Sequence, residues 1–436
     1  MKNLMNSILQ INSKKFSEIL LYIVISLFII VPRVEILGLP FSVHITDLLL
    51  PVILIPIIRN KWYKIEYSLF VFGILLLLVV LSVILNNTYN YIPNFYPGYE
   101  FAKYACYFIF FKNTVPACRK LQNVWDAVFC FLVIFNFFHY FNLFDFNTTV
   151  MSWYHGTNNK NLIYFDTNSY GISISKRIIG VLQDPNYNAI LFLFFVVMYV
   201  PYKELKKKNM LFCFFAFIGF ILCQSRTAFI AFIVFWIVYC CLTSGFWKRK
   251  IIISLFLAMS FAFLSVDGDL SYLAPGWINT HHILSNKNDM EAEQEVINEI
   301  NVFESNSWTY RLEMWNFFVR ENQNVWTVML GHSPNKHFIY SHQMYPHSQY
   351  VSIFYKYGLL GLFVLLFGLG LPFIQACRKI KTDEKSFRTG SFLGVIGICC
   401  ITNCPLNFPV ITLLVIYTLA QFYSTSPYLS FQRHVS

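Results

Sequence analysis

Four polar clusters, set in a chain that is mostly hydrocarbon, hold the residue types that could do chemistry. The first is Lys176-Arg177-Ile178-Ile179-Gly180-Val181-Leu182-Gln183-Asp184-Pro185-Asn186. Lys176 and Arg177 bring positive charge and Asn186 an amide, while Asp184 followed by Pro185 is an N-cap and first-turn pair. A helix start explains that pair by itself; if the start faces a polar compartment, its positive end also attracts phosphate. The second cluster, Ser225-Arg226-Thr227-Ala228, lies between two apolar runs. An arginine this close to hydrocarbon costs about 2.5 kcal/mol or more unless it is paired or wet, so Arg226 is either a snorkelling turn residue or an anion ligand. The third is Arg311, whose planar guanidinium can grip a diphosphate through two parallel hydrogen bonds; an arginine touching lipid headgroups has the same appearance. The fourth is His347, between Pro346 and Ser348. An imidazole can take a proton near neutral pH, although His347 could equally be structural, and His281, His282, His332, His337 and His342 compete with it. Composition and spacing outline a cationic pocket with a histidine and name no reaction.

The elements that must position these clusters are membrane helices. Hydrophobic residues make up 56% of the 436 and charged residues only 13%, far from the balance of a water-soluble chain. Apolar blocks long enough to cross a bilayer recur at about 16–33, 43–58, 67–85, 101–113, 124–144, 186–202, 210–224, 227–246, 251–266, 348–376, 390–404 and 407–425. The second, fourth, seventh and eleventh are short for a full crossing, so ten spans with re-entrant pieces is the alternative to twelve. The expected fold is all-α and polytopic. Residues 1–265 carry nine spans, 266–346 form one large outer loop with short helices, and 347–436 carry the last three spans and a tail.

Basic residues give the orientation. They gather in 59–64, 112–120, 203–208, 248–250 and 378–388, which the positive-inside rule assigns to the cytoplasm together with both termini. This accounts for the net charge of +11 without nucleic acid as a partner. The outer face then holds loops at 86–100, 145–185 and 266–346. Within the last, 290–300 reads as an acidic surface helix. Between Trp308 and Arg320, the residues Trp308, Leu312, Trp315 and Val319 form a helical stripe suited to a membrane interface. No Gly-rich phosphate loop or nucleotide fingerprint occurs. The cysteines lie in or beside apolar runs with no C-x-x-C pair, so neither a metal nor a cofactor is expected.

The ordered set of motifs resembles the O-antigen ligase and O-antigen polymerase superfamily. The resemblance is carried by Arg177, Gly180 and Asp184-Pro185-Asn186; then Ser225-Arg226-Thr227-Ala228; then Tyr310-Arg311-Leu312-Glu313-Met314-Trp315 and Leu330-Gly331-His332; then His347-Ser348-Gln349-Tyr350 and Tyr357-Gly358-Leu359. It covers about 175–375. The family commonly has Asn after the histidine, where this chain has Ser348. The resemblance implies a bacterial inner-membrane glycosyltransferase that moves a glycan from undecaprenyl diphosphate to an acceptor hydroxyl on the periplasmic face, without metal. It further implies that Arg177 and Arg311 hold the diphosphate, Arg226 supports them and His347 acts on the acceptor, with Lys176, Asn186 and Ser348 nearby. The acceptor would be another lipid-linked repeat for a polymerase, and lipid A-core or protein for a ligase. A chain-length regulator and a flippase are the expected partners beyond membrane lipids. A flippase for the same lipid is the rival reading, and it requires ionisable groups spread along a path through the spans.

Overall fold

Capping residues and prolines decide where the apolar runs become helices. The computed structural model describes residues 2–31, 33–35, 42–62, 73–74, 76–78, 80–81, 96–118, 120–155, 164–165, 176–182, 184–202, 206–223, 225–242, 310–320, 324–332 and 346–424. The helices are α1 (Lys2–Ile30), α2 (Ile45–Arg59), α3 (Tyr96–Thr114), α4 (Leu121–Phe141), α5 (Phe146–His155), α6 (Pro185–Tyr199), α7 (Lys207–Leu222), α8 (Arg226–Leu242), α9 (Tyr310–Arg320), α10 (Val325–Leu330), α11 (Gln349–Lys379), α12 (Glu384–Thr402) and α13 (Pro409–Tyr423). The all-α expectation holds, with two short antiparallel ribbons added between helices: β1 (Arg33–Glu35) with β2 (Ser42–His44), and β3 (Tyr164–Phe165) with β4 (Lys176–Arg177). They are two or three residues long and serve as connectors.

Helix α6 is the centre of the bundle. Its Asp184 cap accepts from the backbone of Asn186 and Tyr187, with Pro185 at the first position, and nearly every following side chain is buried. Helix α7 packs close against it because Gly219 leaves room for the Phe192 ring; a Cβ there would stand 2.4 Å from that ring. Trp125 of α4 donates its indole N–H to Tyr417 of α13 at 3.0 Å, and Phe194 meets Phe392 of α12 edge-on at 5.0 Å.

The bundle is inverted relative to a water-soluble protein. Leu359, Phe363, Leu366 and Phe367 of α11 and Ile230, Ile233 and Ile237 of α8 face outward, whereas the ionisable groups inside are paired. Lys103 is buried against Asp47 at 2.8 Å and Glu100 at 2.5 Å. Asp126 accepts from Tyr199 at 2.8 Å and pairs with Lys208, and His139 bonds Asn147 at 2.6 Å. An apolar exterior over paired interior charges suits a bilayer as solvent. Among the described residues, two helices, α4 and α11, are long and apolar enough to cross a membrane; α6, α8 and α13 are apolar but of 15 to 17 residues.

Helix boundaries shift several of the expected spans. Those at 101–113 and 390–404 lengthen to 19 residues each in α3 and α12, because polar first turns extend the apolar runs; Asp383 caps α12 by accepting from Ser386. The span expected at 348–376 is broken at Gly358, where φ is +66°. A short arm, 349–357, precedes a stretch of 21 residues, 359–379, which at 1.5 Å per residue is about 30 Å long. The expected span at 251–266, most of 67–85, the acidic stretch 290–300, the tail 425–436, and His281, His282, His337, His342 and Trp308 lie outside the described residues.

Candidate functional site

Several helix ends meet on one face of the bundle. The Ser225 hydroxyl before α8 donates to Asn186 Oδ1 in the first turn of α6 at 2.9 Å. Thr227 of α8 and Thr402 at the end of α12 share a hydrogen bond between hydroxyls. The Gln349 backbone N–H donates to the Asn403 carbonyl at 3.0 Å. Its side chain spans the α12–α13 turn, accepting from the Leu406 N–H at 3.1 Å and donating to Asn407 Oδ1 at 3.3 Å. Ile178, next to Arg177, bonds through its N–H to the Leu222 carbonyl at 3.1 Å. The backbone of β4 therefore lies at the α7–α8 turn from which Arg226 follows.

The opposite end of the same helices is basic. There Tyr202 donates to the Ile380 carbonyl at 2.8 Å, Tyr239 to the Pro201 carbonyl at 2.7 Å, and Arg388 pairs with Glu384. Lys206, Lys207, Lys208, Arg378, Lys379 and Lys385 flank these contacts in the turns and helix ends.

On the first face, residues from three segments distant in sequence come together. Arg226 is the exposed first residue of α8, Arg311 is half-buried in α9, and His347 is half-buried ahead of α11. Burial, and after it the Arg226 charge, lowers the Arg311 pKa. Burial, and after it the Arg311 charge, lowers that of His347. Desolvation of a cation and proximity to like charge act in the same direction; Arg311 is shielded and stands between the Arg226 charge on one side and His347 on the other.

The described parts of the large loop are clamped to the first arm of α11. Gly331, at φ +74°, ends α10, and a Cβ there would fall 2.3 Å from the carbonyl carbon of Lys356 and the N of Tyr357. Gly358 answers from the other side, its Cβ position 2.3 Å from the Met329 carbonyl carbon. Backbone thus lies on backbone, and only glycine satisfies both the left-handed conformation and the approach. The His332 N–H donates to the Tyr355 carbonyl at 2.8 Å and its ring stacks on Tyr355 at 4.8 Å. That contact gives His332 a docking role.

Helix α9 divides the stripe expected on it. Leu312 and Val319 are exposed, but Trp315 turns inward and donates its indole N–H to the Pro346 carbonyl at 2.7 Å. Met314 and Phe318 are buried beside it, Phe318 edge-on to Tyr355 at 4.9 Å. The apolar periodicity detects α9 as amphipathic without saying that its aromatic residue serves the site.

The helix start expected at Asp184-Pro185 is present: the N–H groups of Asn186 and Tyr187 are occupied by the Asp184 carboxylate, at 2.7 and 3.3 Å, so of the two readings the capped end holds and the phosphate cradle does not. One expectation needs correction. Ser348 is 2% exposed; its hydroxyl caps α11 by accepting from the Val351 N–H and donates to the Cys400 carbonyl at 3.3 Å. A capping serine here needs that hydroxyl for the scaffold, which removes it from the surface a substrate could touch. The side chains of Lys176 and Arg177 lie outside the described residues; Asn186 reaches the site face through Ser225. Gln349, 1% exposed and bonded at three points to the α12–α13 turn, is a site-building residue that sequence reasoning passed over. Its signal would have been an amide two residues after the histidine.

The fold and site define a helical protein with an apolar exterior and a cluster of two arginines and a histidine where helix ends meet α9. Residues 211–366 match a family model described as O-antigen ligase, a span that contains Arg226, Arg311 and His347, and this match supports the resemblance to the O-antigen polymerase and ligase superfamily. Members of that family are glycosyltransferase-like ligases and polymerases. No curated protein matches the chain.

Proposed function

We propose that this chain is a membrane glycosyltransferase that polymerises undecaprenyl-diphosphate-linked oligosaccharide repeats into O-antigen or capsular polysaccharide on the periplasmic side of a bacterial inner membrane. The single observation that carries the reading is the convergence of Arg226, Arg311 and His347 on the face opposite the lysine- and arginine-rich turns. With the basic turns in the cytoplasm, the site faces outward, where lipid-linked glycan is presented. Among the described residues, the ionisable groups inside the bundle have fixed partners, Lys103 with Asp47, Asp126 with Lys208 and His139 with Asn147, an arrangement that disfavours the flippase reading, in which they would line a route.

In this reading the acceptor hydroxyl attacks the anomeric carbon of the donor sugar as the carbon–oxygen bond to the diphosphate breaks. The bonding pair leaves with undecaprenyl diphosphate, the hydroxyl proton passes to His347, and the anomeric configuration inverts. Charge grows on the leaving diphosphate along this path, so fixed guanidinium groups stabilise the transition state more than the ground state. Arg311 and Arg226, with Arg177 from the adjoining β4, fill that role and leave no need for a divalent cation. The first arm of α11, the capped start of α6 and the α12–α13 turn form the wall under the site. Helices α9 and α10 stand against the first arm of α11 beside it, and in this reading both termini lie in the cytoplasm in a chain of about twelve spans.

Deletion of the gene tests the activity. A surface polysaccharide gel should show the anchor carrying a single repeat. A ligase, the activity after which the matching family is described, would instead leave long chains on the lipid carrier and none on lipid A-core. Undiminished long glycan on the anchor would end both readings.

Sidedness is tested separately. A cysteine at Asn306 should react with an impermeant maleimide in intact spheroplasts, and one at Thr382, exposed between α11 and α12, only after lysis. The reverse pattern would place the site in the cytoplasm.

A further inference from the structure

We infer that Trp315 is the positioning residue that holds the Arg311 cation in register with the His347 imidazole, by clipping α9 to the backbone turn that carries the histidine. The inference rests on the reading above, in which those two groups act on one substrate.

Arg311, Met314, Trp315 and Phe318 stand at i, i+3, i+4 and i+7 on one face of an 11-residue helix. Met314 and Phe318 supply buried apolar contact, which holds a helix against a wall but lets it slide and rotate. The hydrogen bond from the Trp315 indole to the Pro346 carbonyl, at 2.7 Å, is directional and removes that freedom. Arg311 lies one turn away on the same face, so fixing Trp315 fixes where the guanidinium emerges.

The acceptor is as informative as the donor. His347 is in the left-handed region, φ +47°, a conformation that costs a non-glycine residue about 1 kcal/mol or more and persists only where the surroundings enforce it. The Pro346 carbonyl carbon is the first atom of that φ torsion. On the far side of the torsion the turn is held by the scaffold, through the Gln349 N–H on the Asn403 carbonyl at 3.0 Å and the Ser348 hydroxyl on the Cys400 carbonyl at 3.3 Å. On the near side it is held by an indole delivered from the outer segment. Docking of α9 therefore sets the histidine and brings the arginine in one event.

The test uses the full-length chain in membranes, with Trp315→Phe and with benzothienylalanine at 315, which keeps the bicyclic shape and replaces N–H with sulfur. Diethylpyrocarbonate modification of His347 against pH, read by peptide mass spectrometry, needs no substrate. Among the described residues, the charge that acts on His347 is Arg311 from α9, with Arg226 from α8 acting in turn on Arg311; α11 and α12 add the uncharged Ser348, Tyr350 and Cys400. Loosening Arg311 should move the modification midpoint to higher pH in both variants, as Arg311→Ala does. Long glycan in cells should fall about tenfold at normal protein level, the equivalent of one hydrogen bond of about 1.4 kcal/mol. A midpoint and glycan yield equal to wild type in the benzothienylalanine chain would overturn the inference. A shifted midpoint alongside full glycan synthesis by Arg311→Ala and His347→Ala would instead sustain the positioning contact and remove the functional reading.

Discussion

Arg311→Ala and His347→Ala are each expected to abolish long glycan, with transfer down by about 100-fold or more and the protein still present in the membrane at wild-type level. A positioned general base contributes roughly 10²–10⁴-fold, and removal of one fixed donor to a developing oxyanion costs a similar factor. Arg311→Lys should not restore activity, because an ammonium cannot reproduce two parallel bonds to a diphosphate. The pH profile gives a second check. Burial and the neighbouring Arg311 charge lower the His347 pKa, so the imidazole stays neutral, and able to accept a proton, to lower pH than an ordinary histidine at about 6.5. The acidic limb of the rate should accordingly lie below that value, and it should rise toward it in Arg311→Lys if the lysine sits farther away. Full-length polysaccharide from either alanine variant would remove both groups from the reaction.

The second large effect is expected at the paired glycines. Alanine at Gly331 or at Gly358 must adopt positive φ with extended ψ, a region essentially reserved to glycine, at about 1–3 kcal/mol, and must also push its Cβ out of a 2.3 Å approach to opposing backbone. Neither Lys356–Tyr357 nor Met329–Leu330 can yield by rotating a side chain, so the α10–α11 contact has to open. Opening it frees the segment that carries Arg311, and activity should fall nearly as far as in Arg311→Ala although no charged group has been altered. Because both substitutions break one contact, the double variant should be little worse than either single one. Limited trypsin digestion reads the same event, since cleavage after Arg320, exposed at the end of α9, should accelerate in both variants. Wild-type glycan with unchanged proteolysis in Gly358→Ala would show that the backbone contact does not hold the loop.

These two experiments probe different depths of the site. The first removes groups that would touch substrate; the second leaves them in place and removes the reason they are near one another. A chain that tolerated the second and not the first would hold Arg311 at the site through Trp315 and Phe318 alone, by the contacts to Pro346 and Tyr355.

Much of the molecule is legible from the amino-acid order because the signals are local. Runs of apolar residues identify the helices, Asp184-Pro185 marks the start of α6, and the grouping of Lys and Arg separates two faces; each depends on neighbours within a few turns. Arg226, Arg311 and His347 also stand out from sequence, since charged or titratable groups beside hydrocarbon carry an energetic cost that asks for a reason. What only the tertiary structure decided depends on contacts between residues far apart in the chain. Ser348 reads as a substrate contact until Cys400 is seen to take its hydroxyl, and the start of α6 stays open between a capped end and an anion site until Asp184 is seen to occupy its N–H groups. Gly331 and Gly358 are unremarkable singly and become a joint only when laid backbone to backbone, which is also why the tenth span starts at 359. Trp315 looks like an interfacial aromatic until its N–H finds Pro346. A hydrogen bond is directional and a backbone approach is measured in tenths of an ångström, and neither quantity is written in hydropathy or residue spacing.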